Sequence, residues 1–359
     1  MKRIAAPAAF PERHVQEKRL REFLEERRLS LGDVIGETDQ GLGRPALAVA
    51  TGSVLAGFGN RRSDLDLLVL VESEQLTRFP IQSHEHGTLI DVNIRQASAV
   101  RDRTAELRDG AWPRFGSVTQ EAWNHRRRAI KTASRLGLGL ALTTTEPWDT
   151  WHAGLREPWL ARVVEQWWTV EAHRLARAAL LLAGERPMAA AVRGREAVVA
   201  ALNARAAAAG QIYFTEKWVG EKLKALGDGD SLALLHEVLA PPLSPGDRVA
   251  RCVGLVGQLA APEAPLHTVL RWATGIGTVP LEDRTVVDRW QLRALEVPRT
   301  DLPPAGSDAV LWSGPPGTDP PAEVKRLFTH DMLWLGVASA ESVASSESTA
   351  SPEEEAPGR

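Results

Sequence analysis

The stretch that decides the fold is TGSVLAGFGNRRSDLDLLV, residues 51–69. A Gly-Ser pair follows a short apolar run at 46–51, and two aspartates, Asp64 and Asp66, begin a second apolar run that reaches Val71. Because side chains alternate along a strand, Asp64 and Asp66 project from one face while Leu65 points into the core. The pattern predicts two strands connected through a Gly-Ser turn, with two carboxylates side by side.

Two carboxylates held this close need a counter-charge, because at a few Å they repel by roughly 1–4 kcal/mol, depending on the dielectric. Mg²⁺ binds carboxylates, waters and phosphate oxygens, and a pair of such ions clamps an attacking and a leaving oxygen. Asp91, in the alternating run at 88–94, is placed on a neighbouring strand to complete the set. We therefore expect Asp64, Asp66 and Asp91 to be catalytic metal ligands.

The Gly-Ser turn, the Asp-Leu-Asp run and Asp91 together resemble the motif of the DNA polymerase β-like nucleotidyltransferase superfamily, with the spacing of its small bacterial and antibiotic-modifying members. The resemblance covers about residues 44–100. It implies an α+β fold, in which a small mixed β-sheet catalytic domain is followed by an α-helical bundle. It also implies transfer of a nucleoside monophosphate from an NTP such as ATP to a hydroxyl, with two Mg²⁺ ions and release of pyrophosphate.

The phosphate contacts are expected in the Gly-Ser turn and the turn after it, because a residue without Cβ lets the backbone approach a ligand and a hydroxyl binds phosphate oxygens. The chain departs from the family pattern at one position. Many small members carry an arginine before the glycine that corresponds to Gly57, and this chain has Ala56 there. The predicted phosphate ligands are Gly52, Ser53, Arg62 and Ser63.

A second phosphate-binding group is expected farther along the chain. The segment 203–226 resembles the helix that closes on the nucleotide in this family, and Tyr213 and Lys217 lie four residues apart within it. On a helix that spacing puts both side chains on one face, where a hydroxyl and an ammonium can hold β- and γ-phosphates. The alternative is that Lys217 is an ordinary surface lysine.

Breaks in composition divide the chain into five predicted segments: an N-terminal helix and linker (1–43), the catalytic domain (44–145), a helical domain (150–275), a small Pro/Gly-rich unit (278–336) and a disordered acidic tail (337–359). The tail holds five glutamates and one arginine, and the formal net charge of the chain is -3, so the remainder is close to neutral. A near-neutral remainder argues against a duplex-DNA binder.

The expected partners are therefore an NTP and a small-molecule hydroxyl acceptor, and the charge balance argues against nucleic acid. A protein or a tRNA is the alternative acceptor, and a catalytically idle nucleotide- or partner-binding module is the alternative outside enzymes. The basic run Arg126–Arg128 with Lys131 is interpreted as a solvated helix face, and His84 and His86 as an exposed loop or substrate edge. No apolar run approaches the length of a membrane span, and the first residues do not resemble a secretory signal, so we expect a cytoplasmic protein.

Overall fold

The computed structural model describes residues 10–37, 45–73, 78–108, 112–239, 244–298 and 302–343. The fold is α+β, and the chain forms two compact units. The first unit comprises residues 1–109, 126–167 and 202–235, and the second comprises 110–125, 168–201 and 236–359.

The elements are numbered in chain order. The helices are α1 (Arg13–Arg27), α2 (Leu31–Gly36), α3 (Gly52–Ala56), α4 (Ala97–Glu106), α5 (Gln120–Gly137), α6 (Trp148–Gly154), α7 (Pro158–Leu182), α8 (Pro187–Ala208), α9 (Val219–Ala225), α10 (Gly229–Leu239), α11 (Pro245–Leu259) and α12 (Ala322–Thr329). The strands are β1 (Pro45–Thr51), β2 (Leu65–Val71), β3 (Arg78–Glu85), β4 (Thr88–Gln96), β5 (Leu140–Thr144), β6 (Leu266–Trp272), β7 (Ile276–Pro280), β8 (Arg284–Arg289), β9 (Arg293–Pro298), β10 (Val310–Gly314) and β11 (Leu333–Ser339).

A five-stranded mixed sheet forms the centre of the first unit, with strand order β3-β4-β2-β1-β5. β2 and β4 run parallel, and the other neighbouring strands pair antiparallel. The parallel pair brings the starts of β2 and β4 to the same end of the sheet, with Leu65 opposite Ile90 and Asp66 opposite Asp91. That end is where the site lies.

Both faces of this sheet are covered. On one face Leu65, Leu67 and Ile90 pack with apolar residues of α1, α2 and α3. On the other face Leu68 and Leu70 pack with residues of α4, α5 and α6. Asp66 shares the parity of Leu68, so strand alternation directs its side chain to the α5 face.

The second unit contains two antiparallel three-stranded sheets, with orders β10-β6-β11 and β7-β8-β9. Val269 of β6 and Ala338 of β11 are buried in one small core with Val118. The helical segments of this unit are held by contacts such as the Val249 side chain of α11 against Ala179 and Ala190.

The strands predicted at 46–51, 65–71 and 88–94 are confirmed as β1, β2 and β4. The basic run at 126–128 and Lys131 lie on α5, which ends at Gly137, and the chain continues as β5. Gly139 makes that change possible, since a Cβ there would lie 2.7 Å from the carbonyl oxygen of Ala50 on β1.

The structure divides the chain differently from the serial domains expected from the sequence. The helical segment 150–275 is not one unit, since the division falls within α7, α8 and α10, and the segment ends in strand β6. The Pro/Gly-rich segment 278–336 contains β8, β9, β10 and α12 with parts of β7 and β11, and its sheets also use β6. The reason is long-range strand pairing, which local composition does not reveal.

Two terminal predictions also change. Residues 337–339 belong to β11 and 340–343 are helical, so the disordered tail predicted from 337 is wrong for these residues, and 344–359 lie outside the described residues. The N-terminal segment forms α1 and α2, and the linker at 38–44 lies outside the described residues.

Candidate active site

The three predicted carboxylates lie at the start of the parallel strand pair. Asp66 and Asp91 are register partners on β2 and β4, and Asp64 directly precedes β2. Asp66 is 8% exposed. Burial raises the pKa of Asp66, the guanidinium of Arg135 opposes this, and the charges of Asp64 and Asp91 raise the pKa further, so that the net shift is upward. The charges of Asp64 and Asp91 therefore both act on the buried carboxylate of Asp66.

Arg135 of α5 is the direct partner of Asp66, with 2.5 Å between Nη2 and Oδ1. Its backbone is also held at this place, because the Thr51 hydroxyl donates to its carbonyl oxygen at 2.7 Å. Sequence reasoning missed Arg135. The available signal was the recurrence of basic residues every four positions at Arg127, Lys131 and Arg135, which puts three cations on one side of a helix.

Gly52 is required where β1 ends. Its φ is +89°, a conformation that side chains disfavour, and a Cβ at this position would overlap the carboxylate of Asp66. The glycine thus brings its backbone against the buried carboxylate. The predicted contact of Gly52 with a phosphate stays a prediction.

Ser53 and Ser63 are brought together by the turn that follows, with 3.3 Å between their hydroxyl oxygens. The amide of Asn60 donates to the Ser63 hydroxyl at 2.9 Å, which closes the turn. Arg62 is exposed, and within the described residues its guanidinium makes no hydrogen bond or ion pair. Ser53 and Ser63 therefore line one turn beside Asp64, and Arg62 makes no ion pair with the three carboxylates in this structure.

The charges of Asp66 and Asp64 act on Tyr213, which does not lie on a helix. α8 ends at Ala208, where Gly210 adopts a φ of +89°, and α9 begins only at Val219, so the helix predicted over 203–226 is wrong at its centre. Burial raises the pKa of Tyr213 to about 12, and the charges of Asp66 and Asp64 contribute to the increase. The Tyr213 hydroxyl therefore stays protonated at neutral pH and can donate a hydrogen bond.

Lys217 does not share a helical face with Tyr213. Its ammonium lies 4.9 Å from the ring centre of Trp218, and the residue is exposed. The segment is anchored by Phe58, whose ring stacks on that of Trp218 with 6.1 Å between centroids. The phosphate contact predicted for Lys217 is untested.

A divalent cation needs several oxygen ligands around one point. Three carboxylates on two adjacent strands are the ligand type that Mg²⁺ prefers. In the conformation described, Arg135 occupies Oδ1 of Asp66, and across the described ranges no three His, Cys, Asp or Glu side chains converge closely enough to hold a metal. The carboxylates suit Mg²⁺ by type, but in this structure they do not converge on one point, and Arg135 would have to release Oδ1 of Asp66 before that atom could bind a cation.

A cleft of about 730 Å³ opens at the same end of the sheet, with Arg27, Arg28, Arg61 and Thr88 among its lining residues. Thr88 has the parity of Ile90, so this cleft faces α1, away from Asp66. His86, expected in an exposed loop or at the substrate edge, lines this cleft.

No protein-family model matches the sequence, and no curated protein matches it. Among solved structures, the chain is similar to a nucleotidyltransferase-like protein from Exiguobacterium sibiricum 255-15. The two are 12% identical, the match covers 61% of this chain and 70% of that chain, and the TM-score is 0.35. In the described part of the chain, no helix is long and apolar enough to cross a membrane. The chemistry of the site is therefore inferred from the residues of this chain.

Proposed function

We propose that this protein is a Mg²⁺-dependent nucleotidyltransferase that moves a nucleoside monophosphate from an NTP to a hydroxyl group of a small molecule and releases pyrophosphate. The observation that carries the proposal is the coupling of Asp64, Asp66 and Asp91 at the start of two adjacent parallel strands. A buried carboxylate held beside two others is costly to a fold, and a metal-dependent reaction gives it a use.

Mg²⁺ would supply charge stabilisation to the triphosphate during in-line transfer. Asp64 and Asp66 would hold the ion. Asp91 orients the acceptor hydroxyl and accepts its proton, while the new bond from the acceptor oxygen to the α-phosphorus forms and the bond to the β-phosphate oxygen breaks. Tyr213, protonated at neutral pH, donates a hydrogen bond to a phosphate oxygen.

The test is the thermal stability of the wild type and of an Asp64→Ala, Asp66→Ala double variant, each with ATP, GTP, CTP or UTP, with and without Mg²⁺. We expect stabilisation that needs Mg²⁺, selects particular nucleotides and disappears in the double variant. An Asp102→Ala, Asp149→Ala variant removes the same charge from exposed positions of the first unit and should respond like the wild type. A nucleotide response that survives in the Asp64, Asp66 variant would contradict the proposal.

A second candidate is an idle nucleotide-binding module, which is favoured by the pairing of Asp66 with Arg135. In such a module Arg135 would remain paired with Asp66 and would block the carboxylate oxygen that an active enzyme uses to bind Mg²⁺. The two candidates differ in the same experiment, since an idle module would bind nucleotide without Mg²⁺. Transfer to a protein or a tRNA is distinguished by the acceptor that retains label from an α-labelled NTP.

A further inference from the structure

We propose that Arg135 is an internal counter-ion that keeps a divalent cation off Asp66 until the polyphosphate of a nucleotide takes over as the partner of Arg135. This inference rests on the proposed function and goes beyond it, since it sets an order of binding. The metal alone binds weakly, and the metal–nucleotide complex binds well.

The first step of the argument is how closely Asp66 is enclosed. Its Oδ1 is 2.5 Å from Nη2 of Arg135, and the two side chains are 12% and 23% exposed. Its Oδ2 packs against Gly52, where even a Cβ would not fit. A cation that approaches Asp66 must therefore break a charge-assisted hydrogen bond and leave a largely buried guanidinium without its partner, which is unfavourable.

The second step is that Arg135 can change partner without moving its helix. The hydrogen bond from the Thr51 hydroxyl to the Arg135 carbonyl fixes the backbone of α5 against the end of β1. The long side chain alone must swing, by rotation about its own bonds. A guanidinium binds a carboxylate and a phosphate in the same way, through paired N–H donors, so a phosphate can replace Asp66 as the partner of Arg135.

The third step is the surplus of positive charge beside Asp66. Lys131 lies one helical turn before Arg135, and in the described chain its ammonium makes no hydrogen bond or ion pair. Burial lowers the pKa of Lys131, the charges of Arg135 and Arg127 lower it further, and Asp66 opposes them. Arg127, Lys131 and Arg135 span about 12 Å along the helix, a length that suits a polyanion such as a triphosphate. Arg127 is already paired with Glu216 at 3.3 Å, so the surplus charge beside Asp66 comes from Lys131.

The consequence is mutual assistance between nucleotide and metal. A polyphosphate that binds Lys131 and draws Arg135 away exposes Oδ1 of Asp66, so the ion meets a free carboxylate only when the nucleotide is present. By linkage, each ligand then strengthens the binding of the other. This arrangement also prevents a cation from occupying the carboxylates in the absence of substrate.

The test measures Mn²⁺ binding to the full-length protein by electron paramagnetic resonance, without nucleotide, for the wild type, Arg135→Gln and Lys131→Gln. Both variants remove one positive charge, but only the first frees Asp66. We expect Arg135→Gln to bind Mn²⁺ about tenfold more tightly than the wild type, and Lys131→Gln to change the affinity by less than about threefold. Arg135→Lys, which retains the charge should the glutamine variant fail to fold, should lie between the wild type and Arg135→Gln.

A second arm measures ATP binding with Mg²⁺ by equilibrium dialysis. Both Arg135→Gln and Lys131→Gln should weaken it about tenfold, whereas Arg162→Gln, an exposed arginine on α7, should not. Equal Mn²⁺ affinity in the wild type and Arg135→Gln, with ATP binding to the wild type intact, would overturn the counter-ion role and leave the proposed function standing. An equal gain in Mn²⁺ affinity in Lys131→Gln would also overturn it. The loss of one positive charge near Asp66, and not the loss of the Arg135–Asp66 ion pair, would then explain the tighter binding. If the wild type binds no nucleotide and only Arg135→Gln gains Mn²⁺ affinity, the proposed function is refuted. The result would then support only the claim that the Arg135–Asp66 ion pair keeps the cation off Asp66.

Discussion

Two buried aspartates of the first unit, Asp66 on β2 and Asp228 directly before α10, are each paired with an arginine, but their pKa values shift in opposite directions. Asp66 lies 2.5 Å from Arg135, and Asp228 lies 2.6 Å from Arg205. The pKa of Asp66 is raised, mainly by burial. At Asp228 burial also raises the pKa, but hydrogen bonds from Arg205 and Ser231 outweigh it, and the net shift is downward.

The difference lies in the remaining neighbours. Asp228 precedes α10 and accepts a hydrogen bond from the amide of Ser231, so its charge stabilises the start of a helix. Asp66 instead faces Asp64 and Asp91, which repel its charge. An arginine partner alone therefore does not mark a structural ion pair. The other charges around the pair decide whether the carboxylate stabilises the fold or is kept for a ligand.

The largest expected effect concerns catalysis. Asp66→Asn should reduce Mg²⁺-dependent pyrophosphate release by on the order of 10³-fold or more, because a metal ligand is lost. Asp228→Asn should retain the activity of its folded fraction. The measurement is the rate of pyrophosphate release from the NTP that stabilises the protein, with a panel of hydroxyl compounds as acceptors. Equal losses in the two variants would remove the distinction between the aspartates.

The same two substitutions should have the reverse order in stability. Asp228→Asn breaks a buried pair that also caps α10, and should lower the free energy of unfolding by about 3 kcal/mol. Asp66→Asn should change it by less than about 1 kcal/mol, because relief from Asp64 and Asp91 offsets the lost ion pair. Urea unfolding at neutral pH measures both. A cost at Asp66 as large as that at Asp228 would assign it a structural role.

Lys222 on α9 is a buried lysine six residues before Asp228, and its titration predicts how stability changes with pH. Its ammonium donates to Asn203 Oδ1 at 2.6 Å and to the Thr215 carbonyl at 2.9 Å, and burial lowers its pKa to about 7. Between that value and the ordinary value for lysine the unfolded chain binds the extra proton, so stability rises with pH.

Relative to Lys222→Met, which cannot titrate, the wild type should gain about 2 kcal/mol of unfolding free energy between pH 7 and 9. Urea unfolding of both proteins across this range gives the slope. Parallel stability curves for the two proteins would show that Lys222 keeps an ordinary pKa.

The smallest effect is a spectroscopic shift at Tyr213, the single tyrosine of the chain. Its pKa is raised to about 12 by burial and by the charges of Asp66 and Asp64. Asp66→Asn should therefore lower the pKa of Tyr213 by a fraction of a unit, whereas Asp228→Asn should not change it. Tyrosinate absorbance during alkaline titration, limited to the range where circular dichroism shows a folded chain, measures the difference. A shift in the Asp228 variant alone would place Tyr213 away from the carboxylates.

Local patterns were sufficient to predict the core of the site. Strand alternation placed Asp64 and Asp66 together, and the apolar run around Asp91 predicted a third strand. Arg135 was not predictable in the same way, because it meets Asp66 across 69 positions of sequence through the packing of α5 on the sheet. Tyr213 was predicted as a site residue from a helical spacing that the structure replaces with a loop. The division into two units was missed because it depends on contacts between distant segments.

The most direct test of the central claim is a crystal structure with Mn²⁺ and a non-hydrolysable analogue of the NTP that stabilises the protein, in which anomalous scattering locates the metal. We predict an anomalous peak within bonding distance of Asp64 and Asp66, with the Arg135 guanidinium on a phosphate oxygen. A bound analogue with no metal at these carboxylates, and Arg135 still paired with Asp66, would contradict the account.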